Sequence, residues 1–256
     1  MKMLIKKLFI ILIFAGLFYA QNGKALNFDG VDDYVTMGAT ALDFTGTTAR
    51  SFAFWVYQRT DQTDTIIAKY QSTTGNGSYV FSINSGGIAN LYLITTSYAT
   101  GRINRRSASG AVPLNRWNHI VGTWTGGTTS SSMSIYINGV ETSYGTSDDG
   151  GTFTGLVSNT NPTLFGARND TAATDFVNFL DGLIDEVRVY NRALTAAEVR
   201  TLYYGHATRV GLVGYWPLIG VTSGTFEPDF SGKANHWTRT SGPYRSALSP
   251  FIRFRR

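Results

Sequence analysis

Residues 25–35 read ALNFDGVDDYV, and residues 179–194 read FLDGLIDEVRVYNRAL. Each stretch joins a carboxylate-rich turn to a run of alternating side chains, which is the pattern of a half-buried β-strand. The two stretches therefore predict strands at the two ends of one β-sandwich. If the fold brings the two turns together, their carboxylate oxygens suit a hard cation such as calcium.

Short strand patterns recur between these stretches at the spacing of an antiparallel sandwich. Gly86-Gly87 and Asn138-Gly139 indicate hairpins, because these residues tolerate the positive φ that tight loops require. The predicted strands are residues 26–35, 51–58, 65–70, 79–84, 90–96, 102–106, 118–125, 132–137, 140–144, 163–166 and 183–190. The fold class predicted is all-β, a two-sheet antiparallel sandwich.

One short helix is predicted near residues 195–203. Thr195 precedes Glu198 by three residues, which is the spacing of a capping box. Leu194, Val199 and Leu202 recur on one helical face, which can pack on the sandwich.

The composition is that of one all-β domain. The 256 residues are only 15% charged and include 14 tyrosines and 16 phenylalanines, which favour pleated surfaces. With no cysteine, the chain has neither a disulfide framework nor a thiol nucleophile. The formal net charge of +5 owes much to lysines near the N-terminus and arginines near the C-terminus, so no nucleic-acid partner is expected.

The first 20 residues have the pattern of a secretory signal peptide. Lys2, Lys6 and Lys7 precede an apolar run at residues 8–17, which is too short for a comfortable membrane span. We expect a secreted or cell-surface protein with no membrane span after cleavage at this signal. The alternative is an uncleaved N-terminal anchor.

From Lys24 to about Ala207 the chain resembles a known family, the laminin-G-like, concanavalin A-like lectin/glucanase jelly rolls. The stretches that carry the resemblance are residues 25–35, FAFWV at 52–56, WNHIVGTW at 117–124, IYING at 135–139 and residues 181–194. The resemblance implies a jelly roll of two packed antiparallel sheets, often with calcium at the rim. It also implies an extracellular module that binds glycans or proteins, since one fold hosts several roles.

The C-terminal segment departs from the family order. The strand that resembles GLVGYWPL at residues 211–218 normally precedes the opening strand, but here it comes last. One hypothesis is a single domain at residues 21–256, which residues 208–256 complete as a circular permutation. A strand near residue 215 would then pair beside Leu183–Tyr190.

The alternative is a domain at residues 24–207 followed by a partial second repeat at 208–256. The tail at 251–256, FIRFRR, fits an edge strand, with docking on an acidic partner as the alternative.

Asp29, Asp32 and Asp185 are the candidate metal ligands. They lie in two acidic groups that also contain Asp33, Asp181 and Glu186, and clustered carboxylates with backbone carbonyls can supply the oxygens that calcium needs. We expect a structural calcium ion at the sheet edge. The alternative is that these carboxylates are simply solvated turn residues.

Three sequence patterns that would indicate an enzyme are absent. The four glutamates, Glu141, Glu186, Glu198 and Glu227, do not form the alternating acidic run that glucanases on this fold use. The three histidines have no paired metal spacing, and there is no Gly-x-Ser-x-Gly elbow. A binding module is therefore favoured over an enzyme.

Tyr98, Arg102, Asn169 and Asp170 are the candidate ligand-binding residues, because they lie in polar loops with aromatic or hydrogen-bonding side chains. The first hypothesis is a secreted, non-catalytic, lectin-like module that is stabilised by calcium and binds carbohydrate. The second is a structural or protein-interaction subunit of a surface layer, fibre or particle. The third is a glycoside hydrolase. The partner expected is a glycan or an extracellular protein surface, and an oligomer is compatible with the sequence.

Overall fold

The structure is a computed structural model that describes residues 25–71, 76–170, 175–218, 226–240 and 244–245. The predicted signal peptide at residues 1–20 and the tail at 251–256 lie outside these residues. Within the described ranges, no helix has the length and apolar character needed to cross a membrane.

The described residues form nineteen strands and one α-helix. The strands are β1 (Leu26–Asp29), β2 (Tyr34–Met37), β3 (Arg50–Gln58), β4 (Asp64–Gln71), β5 (Asn76–Asn84), β6 (Ile88–Ile94), β7 (Gly101–Arg106), β8 (Trp117–Trp124), β9 (Met133–Ile137), β10 (Val140–Glu141), β11 (Gly150–Gly151), β12 (Thr163–Phe165), β13 (Arg168–Asn169), β14 (Phe176–Val177), β15 (Asp181–Tyr190), β16 (Leu212–Trp216), β17 (Phe226–Glu227), β18 (Trp237–Thr240) and β19 (Tyr244–Arg245). The α-helix, α1, is Ala196–Tyr203, and a 3-10 turn covers Ser130–Ser132.

The strands form two large antiparallel sheets and one small hairpin. The first sheet has the order β10-β9-β8-β3-β15-β1-β19, and β16 also pairs with β15. The second sheet has the order β11-β7-β6-β5-β4-β12-β2-β18-β17, and β13 pairs with β14 separately. The all-β, two-sheet prediction is confirmed.

The main core lies between the two sheets, because alternate residues of facing strands point towards each other. Phe52, Phe54 and Val56 of β3 share this core with Tyr79 and Phe81 of β5. The rings of Phe54 and Phe81 meet edge to face, with centroids 5.0 Å apart. This aromatic packing across the sandwich fixes which face of each strand remains outside.

The prediction of one strand over residues 26–35 is wrong. The stretch forms β1 in the first sheet and β2 in the second, and the turn between them carries the chain from one sheet to the other. Gly30 has φ +79° in this turn, and a Cβ there would lie 2.8 Å from the Cβ of Asp181. A glycine is required because the turn approaches β15 so closely. The returning strand predicted at 140–144 is also shorter, since β10 ends at Glu141.

The predicted helix is confirmed as α1. Thr195 caps it by accepting a hydrogen bond of 3.2 Å from the Glu198 amide, and the Glu198 side chain accepts one of 2.9 Å from the Thr195 amide. Val199 and Leu202 are buried with Leu194 in a second cluster, on the outer face of the first sheet. The helix therefore covers that face.

Strands from the C-terminal segment enter both sheets. Trp216 of β16 pairs with Val187 of β15, so the strand lies beside Leu183–Tyr190. β1 pairs with the first half of the same edge of β15, through Asp181 to Ile184. β18 pairs with β2, and β19 pairs with β1. Residues on both sides of α1 therefore share the edge of one long strand.

Candidate functional site

A cavity of about 320 Å³ opens on the outer face of the second sheet. We call it the tyrosine cavity. Its lining residues are Thr63, Thr65, Tyr70, Val80, Ser82, Asn84, Tyr92, Ile94, Tyr98, Arg168, Asp170 and Asn178. Its apolar floor belongs to a cluster of Tyr70, Val80 and Ile94 with Tyr92 packed against them, which is distinct from the main core.

The alternation of strand side chains explains where the floor comes from. In β5, Tyr79 and Phe81 belong to the main core, while Val80 and Ser82 point to the cavity. β5 pairs with β6 so that Val80 lies opposite Tyr92. Neighbouring strands therefore place apolar, aromatic and hydroxyl groups side by side on one surface.

Two of the three tyrosines form an aromatic wall. The rings of Tyr92 and Tyr98 meet edge to face with centroids 5.6 Å apart. The Tyr98 hydroxyl donates a hydrogen bond of 2.6 Å to Asp148, and the Arg102 guanidinium lies 4.0 Å from the centre of the Tyr98 ring. Arg102 also donates two hydrogen bonds to Asp148, of 3.2 and 2.7 Å. This network holds Tyr98 in place although its residue is 39% exposed.

The protonation states of the wall follow from these contacts. The hydrogen bonds from Arg102 and then from Tyr98 lower the pKa of Asp148 below its ordinary value. Burial, followed by the hydrogen bond with Asp148, raises the pKa of Tyr98. Burial likewise raises the pKa of Tyr70. The Tyr70 and Tyr98 phenols therefore stay protonated at neutral pH, where Tyr98 donates its hydrogen bond to Asp148 and Tyr70 can donate one.

One charged side of the cavity comes from the β13–β14 hairpin. Arg168 and Asp170 form an ion pair with a distance of 3.4 Å between Nη1 and Oδ1. The guanidinium carbon of Arg168 lies 5.8 Å from the centre of the Tyr70 ring. The Asp170 amide donates a hydrogen bond of 2.8 Å to the carbonyl of Asp175, which closes the hairpin. The hairpin thus places a cation over an aromatic ring and pairs that cation with a carboxylate.

A buried hydroxyl in the lining has no hydrogen-bond partner among the residues that the structure describes. It belongs to Thr65, whose residue is 0% exposed. Buried polar groups in proteins are nearly always hydrogen-bonded to protein, water or ligand. The Thr65 hydroxyl is an exception to this rule, and because its oxygen is buried it does not present a hydrogen-bonding group at the cavity surface.

The structure brings together two of the four predicted ligand-binding residues. Tyr98 and Asp170 both line the cavity. Arg102 lies against the Tyr98 ring and supports it through Asp148. Asn169 is fully buried and is not among the lining residues.

Sequence reasoning missed Tyr70 and Arg168 as members of the same surface. The available signal was the period of two in β5 and β6, which separates two faces of each strand. It does not indicate which face becomes the core.

A separate acidic turn lies between β1 and β2. The carboxylates of Asp29, Asp32 and Asp33 offer ligand atoms within 4.8 Å of one another. Asp33 accepts a hydrogen bond of 3.0 Å from the Asp29 amide, and Asp29 accepts one of 2.9 Å from the Val31 amide. Burial, reinforced by the charges of Asp29 and Asp32, raises the pKa of Asp33 to about 6. A bound cation would relieve this repulsion.

The structure does not bring Asp185 to the acidic turn. Asp29 pairs with Asp181, and Asp185 lies four residues further along β15. Asp181 forms an ion pair of 3.0 Å with Arg59. Asp185 is buried and accepts a hydrogen bond of 2.7 Å from the Glu186 amide. Two of the three predicted metal ligands, Asp29 and Asp32, therefore lie together, and the third lies apart.

Solved structures with a similar fold include three proteins of different origin. An inferred carbohydrate-binding protein from Bacteroides ovatus is 19% identical, with a TM-score of 0.63 over 89% of this chain, which spans 60% of that protein's length. A SAP-like pentraxin from Limulus polyphemus is 17% identical, with a TM-score of 0.52, over 74% of this chain and 85% of that one. The CBM40 domain of the Ruminococcus gnavus IT-sialidase, bound to α2,3-sialyllactose, is 12% identical, with a TM-score of 0.50, over 70% of this chain and 97% of that one.

Among curated proteins, no sequence matches this chain. A laminin-G-type family model, described as the concanavalin A-like lectin/glucanases superfamily, matches residues 29–200. This match covers β2 to most of α1, and with them the acidic turn and the tyrosine cavity. The chain therefore belongs to the concanavalin A-like lectin/glucanases superfamily.

Proposed function

We propose that this protein is a secreted, non-catalytic, lectin-like module that binds carbohydrate in the tyrosine cavity. The observation that carries the proposal is the combination of Tyr70, Tyr92 and Tyr98 with the Arg168–Asp170 pair in one cavity. Sugars present apolar ring faces that pack on aromatic rings, and hydroxyls that bond to a few placed polar groups.

The size of the cavity favours a short glycan segment. Its volume of about 320 Å³ is at the lower end of the range for small-molecule sites, roughly 300–1,000 Å³. The Ser82 and Asn84 side chains add neutral hydrogen-bonding groups. We infer that the cavity takes the end or a small part of a glycan.

The similar structures support the carbohydrate assignment. The Bacteroides ovatus protein is named for carbohydrate binding, and the Ruminococcus gnavus domain was solved with a bound glycan. Their identities to this chain are low, so the proposal rests first on the side chains of the cavity itself.

A binding role is favoured over glycan hydrolysis by the carboxylates present. Hydrolysis commonly requires two carboxyl groups, roughly 5–10 Å apart, on either side of the bond. Among the described lining residues only Asp170 carries one. Glu198 caps α1, and Glu186 is buried against Arg188.

We further propose that the acidic turn binds a structural calcium ion. Its three carboxylates supply hard oxygen ligands that lie within 4.8 Å of one another, which supports the proposal. The turn joins the two sheets, so an ion there would stabilise the connection.

A second candidate function is that of a structural or protein-interaction subunit at a cell surface. Val140 of β10 and Tyr204, just after α1, are 67% and 68% exposed. Both belong to the first sheet's side of the sandwich, where α1 contacts β10. Exposed apolar side chains of this kind suit protein contacts.

A glycan array, probed with and without calcium, separates the two functions. We expect defined glycans to bind, and Tyr92→Ala to abolish their binding because it removes half of the aromatic wall. Tyr204→Ala is the matched control, since this tyrosine lies away from the cavity, after the helix that covers the other sheet. Binding that survives Tyr92→Ala but is lost in Tyr204→Ala would place the site elsewhere. No binding to any glycan would favour the protein-interaction role.

A further inference from the structure

The charged groups of the tyrosine cavity balance each other. Arg168 and Asp170 are the charged residues of its described lining, and they lie 3.4 Å apart. Behind the wall, Arg102 and Asp148 also neutralise each other through two hydrogen bonds. The lining therefore contains no cation without a neighbouring anion.

This balance distinguishes between classes of sugar. The carboxylate of an acidic sugar that reached Arg168 would also face Asp170, and like charges at close range in an interface are strongly unfavourable. Two neighbouring hydroxyls of a neutral sugar have no such conflict. One can accept from the guanidinium while the other donates to the carboxylate.

We propose that the tyrosine cavity selects uncharged sugars and rejects acidic ones, with Arg168 and Asp170 acting as a donor–acceptor pair for adjacent hydroxyls. This inference rests on the proposed carbohydrate-binding function and narrows it to a substrate class. The remaining polar lining, which includes Ser82 and Asn84, is uncharged and fits the same class.

Matched pairs of sugars test the selection. The probes are the methyl glycosides of glucose, galactose and mannose, each beside its uronide, which differs only by a carboxylate in place of the C6 hydroxymethyl group. Lactose beside α2,3-sialyllactose is a fourth pair. Binding is measured by calorimetric titration. For any pair of which a member binds, we expect the neutral sugar to bind about tenfold or more tightly than its acidic partner.

Charge-removing variants test the role of the pair. Asp170→Asn should weaken the binding of the neutral sugar and strengthen the binding of the acidic one, because the repelling charge is gone and Arg168 remains. Arg168→Gln should weaken the binding of both sugars. Asp175→Asn is the control, since this exposed carboxylate lies in the same hairpin but outside the lining, and its loss should leave the preference unchanged.

The outcomes separate this inference from the proposed function. Acidic sugars that bind as tightly as their neutral partners, or more tightly, would overturn the selection while leaving carbohydrate binding intact. Neutral binding that is insensitive to both Asp170→Asn and Arg168→Gln would overturn the role of the pair. Failure of every probe to bind would overturn the proposed function itself.

Discussion

The ring centroids of Trp216 and Trp237 lie 4.7 Å apart between the two sheets. Trp216 belongs to β16 of the first sheet and Trp237 to β18 of the second, and both are fully buried. Phe165 of β12 packs on Trp237 with centroids 4.1 Å apart. The last fifth of the chain therefore contributes an aromatic contact that links both sheets.

Replacing Trp216 with alanine should strongly destabilise the protein. The substitution removes a buried indole and the hydrogen bond of 2.9 Å that its Nε1 donates to the Asn235 carbonyl. We expect a loss of about 3–5 kcal/mol in the free energy of unfolding, measured by urea denaturation. Val210→Ala is the control, because Val210 is 70% exposed and its loss should change little. A Trp216→Ala protein of unchanged stability would contradict the packing described.

Removing everything after Ala207 tests the extent of the domain. The permuted single domain, residues 21–256, stays a prediction, supported by the pairing of β16 with β15 and of β18 with β2. The shortened chain would expose the edge of β15 and the core around Phe165. We expect it to be insoluble or to lack fixed tertiary structure by near-ultraviolet circular dichroism. A shortened chain that unfolds sharply at the original midpoint would favour the partial second repeat.

Calcium should raise the melting temperature through the acidic turn. An ion that binds only the folded state stabilises it by about 2.7 kcal/mol at a hundredfold excess over its dissociation constant. Asp32→Asn should reduce the calcium-dependent shift, because it removes a carboxylate charge from the cluster. Asp185→Asn should retain the shift, since that residue lies apart on β15. The measurement compares each variant in calcium and in chelator. If only Asp185→Asn lost the calcium-dependent shift in melting temperature, the ion would have to bind at a different site.

Asp64 should make stability fall as the pH rises from about 4 to 7. Its carboxyl is fully buried and accepts hydrogen bonds of 2.8 and 2.9 Å from Gln58 and Gln62. Burial nevertheless raises its pKa from 3.8 to about 7. The folded state then holds the proton more tightly than the unfolded state, so the stabilisation by that proton is lost as the pH rises through this window.

The variant Asp64→Asn isolates this effect. It should be more stable than the original protein near pH 8, with the advantage shrinking towards pH 4. Urea denaturation of both proteins across this range measures the difference. Parallel curves at all pH values would show that Asp64 does not titrate in this window.

The local elements of the fold could be predicted because short-range chemistry determines them. Asn138 and Gly139 have φ values of 52° and 82°, as a tight hairpin requires, and the loop joins β9 to β10 as expected. The capping box of Thr195 and Glu198 likewise sets the start of α1. In both cases a few neighbouring residues carry the whole signal.

The division of residues 26–35 between two sheets could not be predicted in the same way. Strand alternation continues on both sides of the acidic turn, and the change of sheet depends on how β1 meets β15 and how β2 meets β12. The tyrosine cavity could not be predicted for the same reason, because its residues lie far apart in the sequence. Tyr70, Tyr92 and Arg168 come from three elements whose pairing is set by the whole sandwich.

The shared edge of β15 imposes an order on folding during synthesis. β1 leaves the ribosome early, but β16 reaches the adjacent half of the same edge only after α1 has been made. At ~5–20 residues per second, a chain of 256 residues takes about 10–50 seconds to complete. β15 is complete at residue 190 and β16 begins at residue 212, so at these rates this half of the edge stays bare for about 1–4 seconds. The edge of β15 should therefore be open to pairing with other unfolded chains only during this short interval of synthesis.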